Sequence, residues 1–315
     1  MRDTLPGSPR ARVEQALPIL WPPPESLLNR LQPRTLKAAP LKATITLRED
    51  LTSSLARFEF QLEGGVSDFK PGQFLTIGLP HPEKEGKTLW RPYSISSKPE
   101  QKECMELYIR LAERPVPGLF TTMLWKLGVG DVMDYKDPKG AFTVNHTDPD
   151  GSEETRRLVM IGGGTGVAPF VSMIGSLKDA GCKREIILCQ GASYQQELGY
   201  RAYFEGLAAE SEANGRKDWN FHYLPSISRP DEESNAGWTG HTGRVETLIV
   251  PGEDGLNAAE RVVGEHFTPE NASFYICGFG AIVDSICDTV KDRGFVARKE
   301  AREDGSYDIR FESYG

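Results

Sequence analysis

Between Leu41 and about Val144, apolar and polar residues alternate in short runs. Ala43-Thr44-Ile45-Thr46-Leu47 and Ala56-Arg57-Phe58-Glu59-Phe60-Gln61-Leu62 put every second residue on one face, the period of a half-buried strand. Gln73–Ile77 and Glu106–Leu111 continue the series with Gly and Pro between them, which predicts a small antiparallel barrel. A polar stretch, Asn145–Glu154, separates this region from one with a different pattern. There, apolar runs at Leu158–Ile161, Ile186–Cys189, Phe221–Pro225 and Ser273–Cys277 alternate with stretches of helical period. Val167, Phe170, Val171, Ile174 and Leu177 recur at i, i+3, i+4 and i+7 spacing, with Pro169 in the first turn and Gly181 at the exit. Amphipathic stretches from Glu197 to Ala209 and from Ile282 to Val290 are the next helix candidates. Strands alternating with helices predict a parallel sheet with crossover helices. Ligands of such sheets bind beyond the carboxyl ends of the strands. Gly162–Thr165, Gln190–Ser193, Ser226–Arg229 and Cys277–Gly280 are therefore expected to share one rim.

The first 36 residues fit neither pattern. They hold seven of the 22 prolines, including Pro22-Pro23-Pro24, which predicts an extended arm rather than a packed domain. Within it only Ser26–Leu31 reads as a short helix, and Trp21 and the leucines leave open a strap against the body or a partner. The expected organisation is an arm over 1–36, a barrel over 37–145 and an α/β domain over 156–315. At 315 residues the chain is long enough for two cores. No apolar run approaches the ~20 residues of a membrane span, and the N-terminus lacks a secretory core, so a cytoplasmic location is expected. Five cysteines without a C-x-x-C or C-x4-C pair argue against an iron–sulfur cluster or structural zinc, and five single histidines give no metal site. The net charge of −8 divides into +4 for residues 1–42 and −12 for the remainder, an acidic body that does not suit nucleic acid.

Two segments carry the candidate chemistry. Gly162-Gly163-Gly164-Thr165-Gly166-Val167-Ala168-Pro169 joins a predicted strand to a predicted helix. Bare backbone there lets an anion approach the unpaired N–H groups of the helix start. Val167 in the sixth position breaks the G-x-G-x-x-G pattern and no Gly-Lys-Ser/Thr follows, so neither the dinucleotide fingerprint nor a P-loop is matched. On its residues alone the segment is equally well a tight turn without a ligand. About seventy residues upstream, Arg91-Pro92-Tyr93-Ser94 lines up a guanidinium, a ring and a hydroxyl on an extended segment. Such a set can fork onto a pyrophosphate, stack on a flat heterocycle and hydrogen-bond a ring nitrogen.

In this order and separation the two segments closely resemble the ferredoxin/flavodoxin–NADP reductase family of flavoproteins, in its bacterial form. The resemblance covers residues 40–315 and extends to Phe69–Phe74, Gly118–Thr122, Tyr194–Tyr200, Thr242–Val245, Cys277-Gly278 and Glu312-Ser313-Tyr314. It implies an antiparallel FAD-binding barrel followed by a parallel-sheet NADP-binding domain. By the family's pattern Arg91, Pro92, Tyr93 and Ser94 bind FAD, with the backbone of Ile109, Arg110 and Leu111 and with Leu119, Phe120 and Thr121. Gly163, Gly164, Thr165, Gly166 and Gly278 would meet the nicotinamide nucleotide, and Ala192, Ser193, Ser228, Arg229 and Arg244 its 2′-phosphate end. Ser94, Cys277 and Glu312 would line the site of hydride transfer, and Tyr314, grouped with them as a catalytic candidate, would be the C-terminal stacking residue, over either the isoalloxazine or the adenine. The implied cofactors are FAD and NADP, before NAD, and the implied partner is a ferredoxin or flavodoxin, since the chain has no cluster of its own. Two departures stand out. Ser193 replaces an arginine of the 2′-phosphate cluster, and the chain ends Tyr314-Gly315 without a further aromatic. Competing functions on the same scaffold are the reductase component of an oxygenase or a flavin reductase, and a flavin-binding subunit of a larger electron-transfer assembly.

Overall fold

The computed structural model describes residues 40–113 and 115–314. The expected arm with its Ser26–Leu31 helix, and Gly315, lie outside the described residues.

Six strands form the antiparallel sheet: β1 Leu41–Thr52, β2 Leu55–Leu62, β3 Phe74–Pro80, β4 Thr88–Ser94, β5 Met105–Arg110 and β6 Val132–Lys139. Their order is β4-β3-β6-β1-β2-β5, and a bridge between Ile95 and Leu107 brings the end of β4 beside β5, so the sheet closes on itself. The alternation in β2 is realised residue by residue. Ala56, Phe58, Phe60 and Leu62 are buried while Arg57, Glu59 and Gln61 face outward, as one solvated sheet face requires. Phe58, Phe60, Leu75, Ile77 and Leu107 meet in the barrel core, and a short helix, α1 Leu119–Leu124, plugs it with Phe120 and Leu124.

The second sheet is parallel throughout, in the order β10-β9-β8-β7-β11-β12. Its strands are β7 Arg157–Gly163, β8 Ile186–Ala192, β9 Phe221–Ile227, β10 His241–Thr242, β11 Ala272–Phe279 and β12 Ile309–Tyr314. β7, β8 and β11 are buried along almost their whole length, because helices cover both faces. α2 Ala168–Asp179 and α3 Arg201–Ala213 cover one face with Phe170, Ile174, Phe204 and Leu207. The other face takes α4 Ala258–Val263 and α5 Gly280–Lys291, through Ala259, Val283, Ile286 and Val290. The chain runs outward from β7 through β8 and β9, then returns to place β11 on the opposite side of β7. Strand order therefore reverses between β7 and β11, and α/β sheets hold ligands at such a reversal.

One expectation needs correction. The helix expected from Glu197 starts at Arg201, after a single 3-10 turn at Gln195–Glu197, because Glu197 and Gly199 are held against the barrel and Tyr200 adopts a left-handed φ of 61°. The polar stretch Asn145–Glu154 ends in a buried carboxylate. Glu154 is 1% exposed, takes a 3.0 Å bond from Arg156 Nε and lies near Arg184, whose Nη1 donates to the Asn145 carbonyl at 2.8 Å.

Candidate active site

The four expected strand ends do share one rim. Gly162 pairs with Gln190 and Cys277, Gly191 with Ser226, and Cys277 with Glu312, so the ends of β7, β8, β9, β11 and β12 lie side by side. The glycine-rich turn, a 3-10 segment over Gly164–Val167, crosses this rim at the strand reversal. Its approach to β11 is close: a Cβ on Gly166 would collide with the Cys277 carbonyl oxygen, so no other residue fits.

The barrel supplies the facing wall. Ser94, at the end of β4, donates a 3.1 Å hydrogen bond from Oγ to Oε2 of Glu312, a residue 218 positions later in the chain. Cys277 and Glu312 are register partners, so their side chains leave the sheet on the same face. Two residues along, Tyr314 donates its hydroxyl to the Gly163 carbonyl at 3.1 Å and accepts one from Thr165 Oγ1 at 3.2 Å. Its ring meets Phe279 edge-on, with centroids 5.3 Å apart. Ser94, Thr165, Cys277, Glu312 and Tyr314 thus converge where barrel and parallel sheet meet. Burial raises the Glu312 carboxyl above its ordinary value, against the opposing Ser94 bond. Burial, and then the neighbouring Glu312 charge, push the Cys277 thiol well up. Tyr314 is raised by burial in the same way. All three shifts run toward the neutral form, with burial as the first cause of each.

Further along β4, Arg91 and Pro92 are exposed, and Tyr93 tilts onto Phe120 of α1 with centroids 6.0 Å apart. Arg91 donates to the Trp90 carbonyl at 2.8 Å and, among the described residues, pairs with no carboxylate. Its fork is available to an anion, and the first-turn N–H groups of Leu119, Phe120 and Thr121 lie within the α1 helix start, where no intrahelical acceptor exists. These features fit a flavin dinucleotide. Thr121 fits it less directly, since its hydroxyl accepts from Ala112 N at 3.1 Å and donates to the Gly118 carbonyl at 3.2 Å. Its one O–H is committed within the protein, which leaves the backbone N–H as its donor for an anion.

On the outer rim, the Ser228 amide donates to the Ala192 carbonyl at 2.9 Å. Arg229 reaches Tyr194 Oη at 2.9 Å and Glu232 at 3.2 Å, and Tyr194 in turn donates to Glu232 at 2.6 Å. Arg244 is largely exposed, 3.9 Å from Glu246. Both arginines face solvent, and each has a carboxylate beside it. Asn235, fully buried, stitches the loops together by donating to the carbonyls of Ser193 and Arg229. Neither Asn235 nor Glu232 stands out in the sequence, because both sit in a polar turn without periodicity. Glu197 is equally inconspicuous there. It binds Arg110 of β5 at 2.7 Å, whereas the family's pattern asks Arg110 for backbone alone.

Residues 42–144 match the model of the Oxidoreductase FAD-binding domain, and residues 160–288 that of the Oxidoreductase NAD-binding domain. A Na(+)-translocating NADH-quinone reductase subunit from Yersinia pestis (strain Pestoides F) is 31% identical over 211 residues, which are 65% of this chain and 46% of that one. The protein of the same name from Neisseria meningitidis serogroup C is 32% identical over 218 residues, 67% of this chain and 48% of that one. The chain spans about half the length of the curated relatives it matches. A ferredoxin NADP+ reductase from Neisseria gonorrhoeae, solved with bound FAD and NADP, shares the fold, with a TM-score of 0.67 and 24% identity over 87% of this chain and 99% of that one. Among the described residues no helix is long and apolar enough to cross a membrane. With a closed antiparallel barrel, a parallel sheet reversing at a glycine-rich turn, and a domain match for each, the chain belongs to the ferredoxin reductase-like superfamily and is an oxidoreductase that binds FAD and a nicotinamide dinucleotide.

Proposed function

We propose that this oxidoreductase moves electrons between NADP(H) and a one-electron carrier such as a ferredoxin or flavodoxin. FAD, when bound, supplies the exchange between hydride chemistry and single-electron steps. The observation that carries the proposal is the hydrogen bond from Ser94 to Glu312 beside Cys277, which ties the barrel wall to the last strand at the strand-end rim. In this proposal Arg91 and the α1 amides hold the pyrophosphate, and Tyr93 lines the flavin. Thr165 and Cys277 flank the place of the nicotinamide. Ser94 and Glu312 hold a proton within reach of the reacting rings, in surroundings where burial already favours the neutral carboxyl. Tyr314, anchored on Gly163 and Thr165, occupies the approach and must move for productive stacking. Positioning supplies most of the acceleration, since no side chain here is an activated nucleophile.

A second function is favoured by specific observations: NADH oxidation within a larger assembly. The curated relatives are NADH-quinone reductase subunits about twice as long as the matched part. Ser193 removes one cation from the 2′-phosphate cluster, and Glu232 already engages Arg229. Release of the flavin by denaturation, and its identification as FAD or FMN, tests the binding half of the proposal. Arg91→Ala is expected to weaken FAD retention roughly tenfold, about 1.5 kcal/mol, the low end for a bond to a charged group because Arg91 is exposed. A folded protein that ignores added FAD would contradict the proposal.

A further inference from the structure

Glu197 touches both walls of the molecule at once. From β5 of the barrel, Arg110 Nη1 donates to Glu197 Oε1 at 2.7 Å, and Tyr108, on the same face two residues earlier, donates to the Glu197 carbonyl at 3.2 Å. From the end of β8, the Ser193 amide donates to the other carboxylate oxygen, Oε2, at 3.2 Å. Glu197 is 9% exposed, so its carboxylate is largely shielded from bulk water. The turn that carries it has no freedom to drift. A Cβ on Gly199 would collide with Tyr108 Oη, and the ring of Tyr200 packs edge-on against Tyr108 with centroids 5.3 Å apart. One guanidinium and one carboxylate thus connect the barrel strand and the Ser193 loop.

We infer that Glu197 and Arg110 form a positioning pair that couples the flavin-holding strand to the loop receiving the adenosine end of the nicotinamide nucleotide. The inference rests on the function proposed above. Arg110 cancels the charge of Glu197, which otherwise would face the Ser193 loop unneutralised in a poorly solvated place. With the charge cancelled, Glu197 fixes the Ser193 amide and with it the mouth of the nucleotide site. With Arg110 removed, the same carboxylate becomes a buried negative charge beside the approach of an anionic ligand. Removing both charges abolishes the repulsion, so the second substitution repairs the first. A pair that merely stabilised the fold would not behave in this way. Its two deletions would each cost stability and would not repair nucleotide binding.

The test is a double-mutant cycle on the flavin-loaded protein with Arg110→Met, Glu197→Gln and the double variant, reading KM and kcat for NADPH and NADH. Arg110→Met is expected to raise KM for NADPH by about five- to tenfold, the lower part of the range for coupled sites, with a smaller change for NADH and little change in kcat. In the double variant, KM for NADPH is expected to return to within about twofold of the parent. Arg110→Lys, which keeps the cation but not the fork, is expected to stay close to the parent. It keeps the test decisive if Arg110→Met does not retain flavin, since an effect equal to the loss of charge would then overturn the inference. Additive or equal losses in the cycle, with no repair, overturn it too. A parent protein that neither nucleotide reduces would instead refute the proposed function itself.

Discussion

Tyr200→Phe is the sharpest probe of how the two sheets are held together. Tyr200 Oη donates to Glu106 Oε1 at 2.6 Å and lies 3.1 Å from Ser96 Oγ. Glu106 is 7% exposed and also receives Arg57 Nη1 at 2.6 Å and Ser96 Oγ at 2.9 Å. Deleting the hydroxyl takes one of three donors from a buried carboxylate while leaving the ring in place against Tyr108. A bond to a charged group in such a setting contributes about 1.5–3 kcal/mol. The residue sits at a φ of 61°, a strain that Phe would share, so the hydroxyl alone sets the difference. The substitution is thus expected to cost about 2 kcal/mol, and for a unit of this size to lower Tm by on the order of 5 °C. Urea denaturation of the flavin-loaded protein, followed by flavin fluorescence, measures it, with Tyr203→Phe as a control on a ring that is 40% exposed. A loss below ~0.5 kcal/mol, or one equal to that of the control, would refute the assignment of the hydroxyl as a seam contact.

Three further outcomes are expected. Arg229→Ala and Arg244→Ala should each raise KM for NADPH and leave that for NADH nearly unchanged, because only NADPH carries the 2′-phosphate; equal damage to both nucleotides in steady-state kinetics would mark the arginines as structural. Glu312 has a raised folded-state pKa, so stability is full below the ordinary carboxylate value and is lost as pH rises through the raised one. Glu312→Gln should therefore raise Tm at neutral pH but not near pH 4, while slowing flavin reduction, and a Tm gain equal at both pH values would count against burial as the cause. Glu185 is the opposite case, held down to about 2 despite burial by His222 at 2.8 Å and Arg157 at 2.5 Å. It contributes about 3 kcal/mol that is present above the ordinary carboxylate value and is lost as pH falls towards 2. Glu185→Gln should flatten the acid limb of an equilibrium unfolding curve, and an unchanged limb would show the pair to be ineffective.

How much the sequence shows depends on how local each constraint is. β2 is legible because one face of its sheet is wet, and β7, β8 and β11 because both faces of theirs are dry. The helix after Gly164 is legible from its apolar spacing, since its partners are general core. The start of α3 is not legible, because Glu197 is drawn out of the helix by Arg110, 87 residues earlier. Nor is the depth of Glu154, whose partners Arg156 and Arg184 come from the segments that lead into β7 and β8. Ser94 and Glu312 come together in the sequence only through family resemblance, because no periodicity links residues 218 positions apart. The use made of the Thr121 hydroxyl is not legible for a related reason. A hydroxyl at a helix start serves a ligand or the helix itself equally well, and here Ala112 and Gly118 take it.

Anaerobic rapid mixing of the flavin-loaded protein with NADPH, and separately with NADH, tests the central claim most directly. Loss of the oxidised-flavin absorbance within the mixing experiment, faster at a given concentration with NADPH than with NADH and slowed when Ser94 is changed to Ala, is the expected result. Flavin that stays oxidised with both nucleotides, in a protein that holds FAD and keeps its fold, would contradict it.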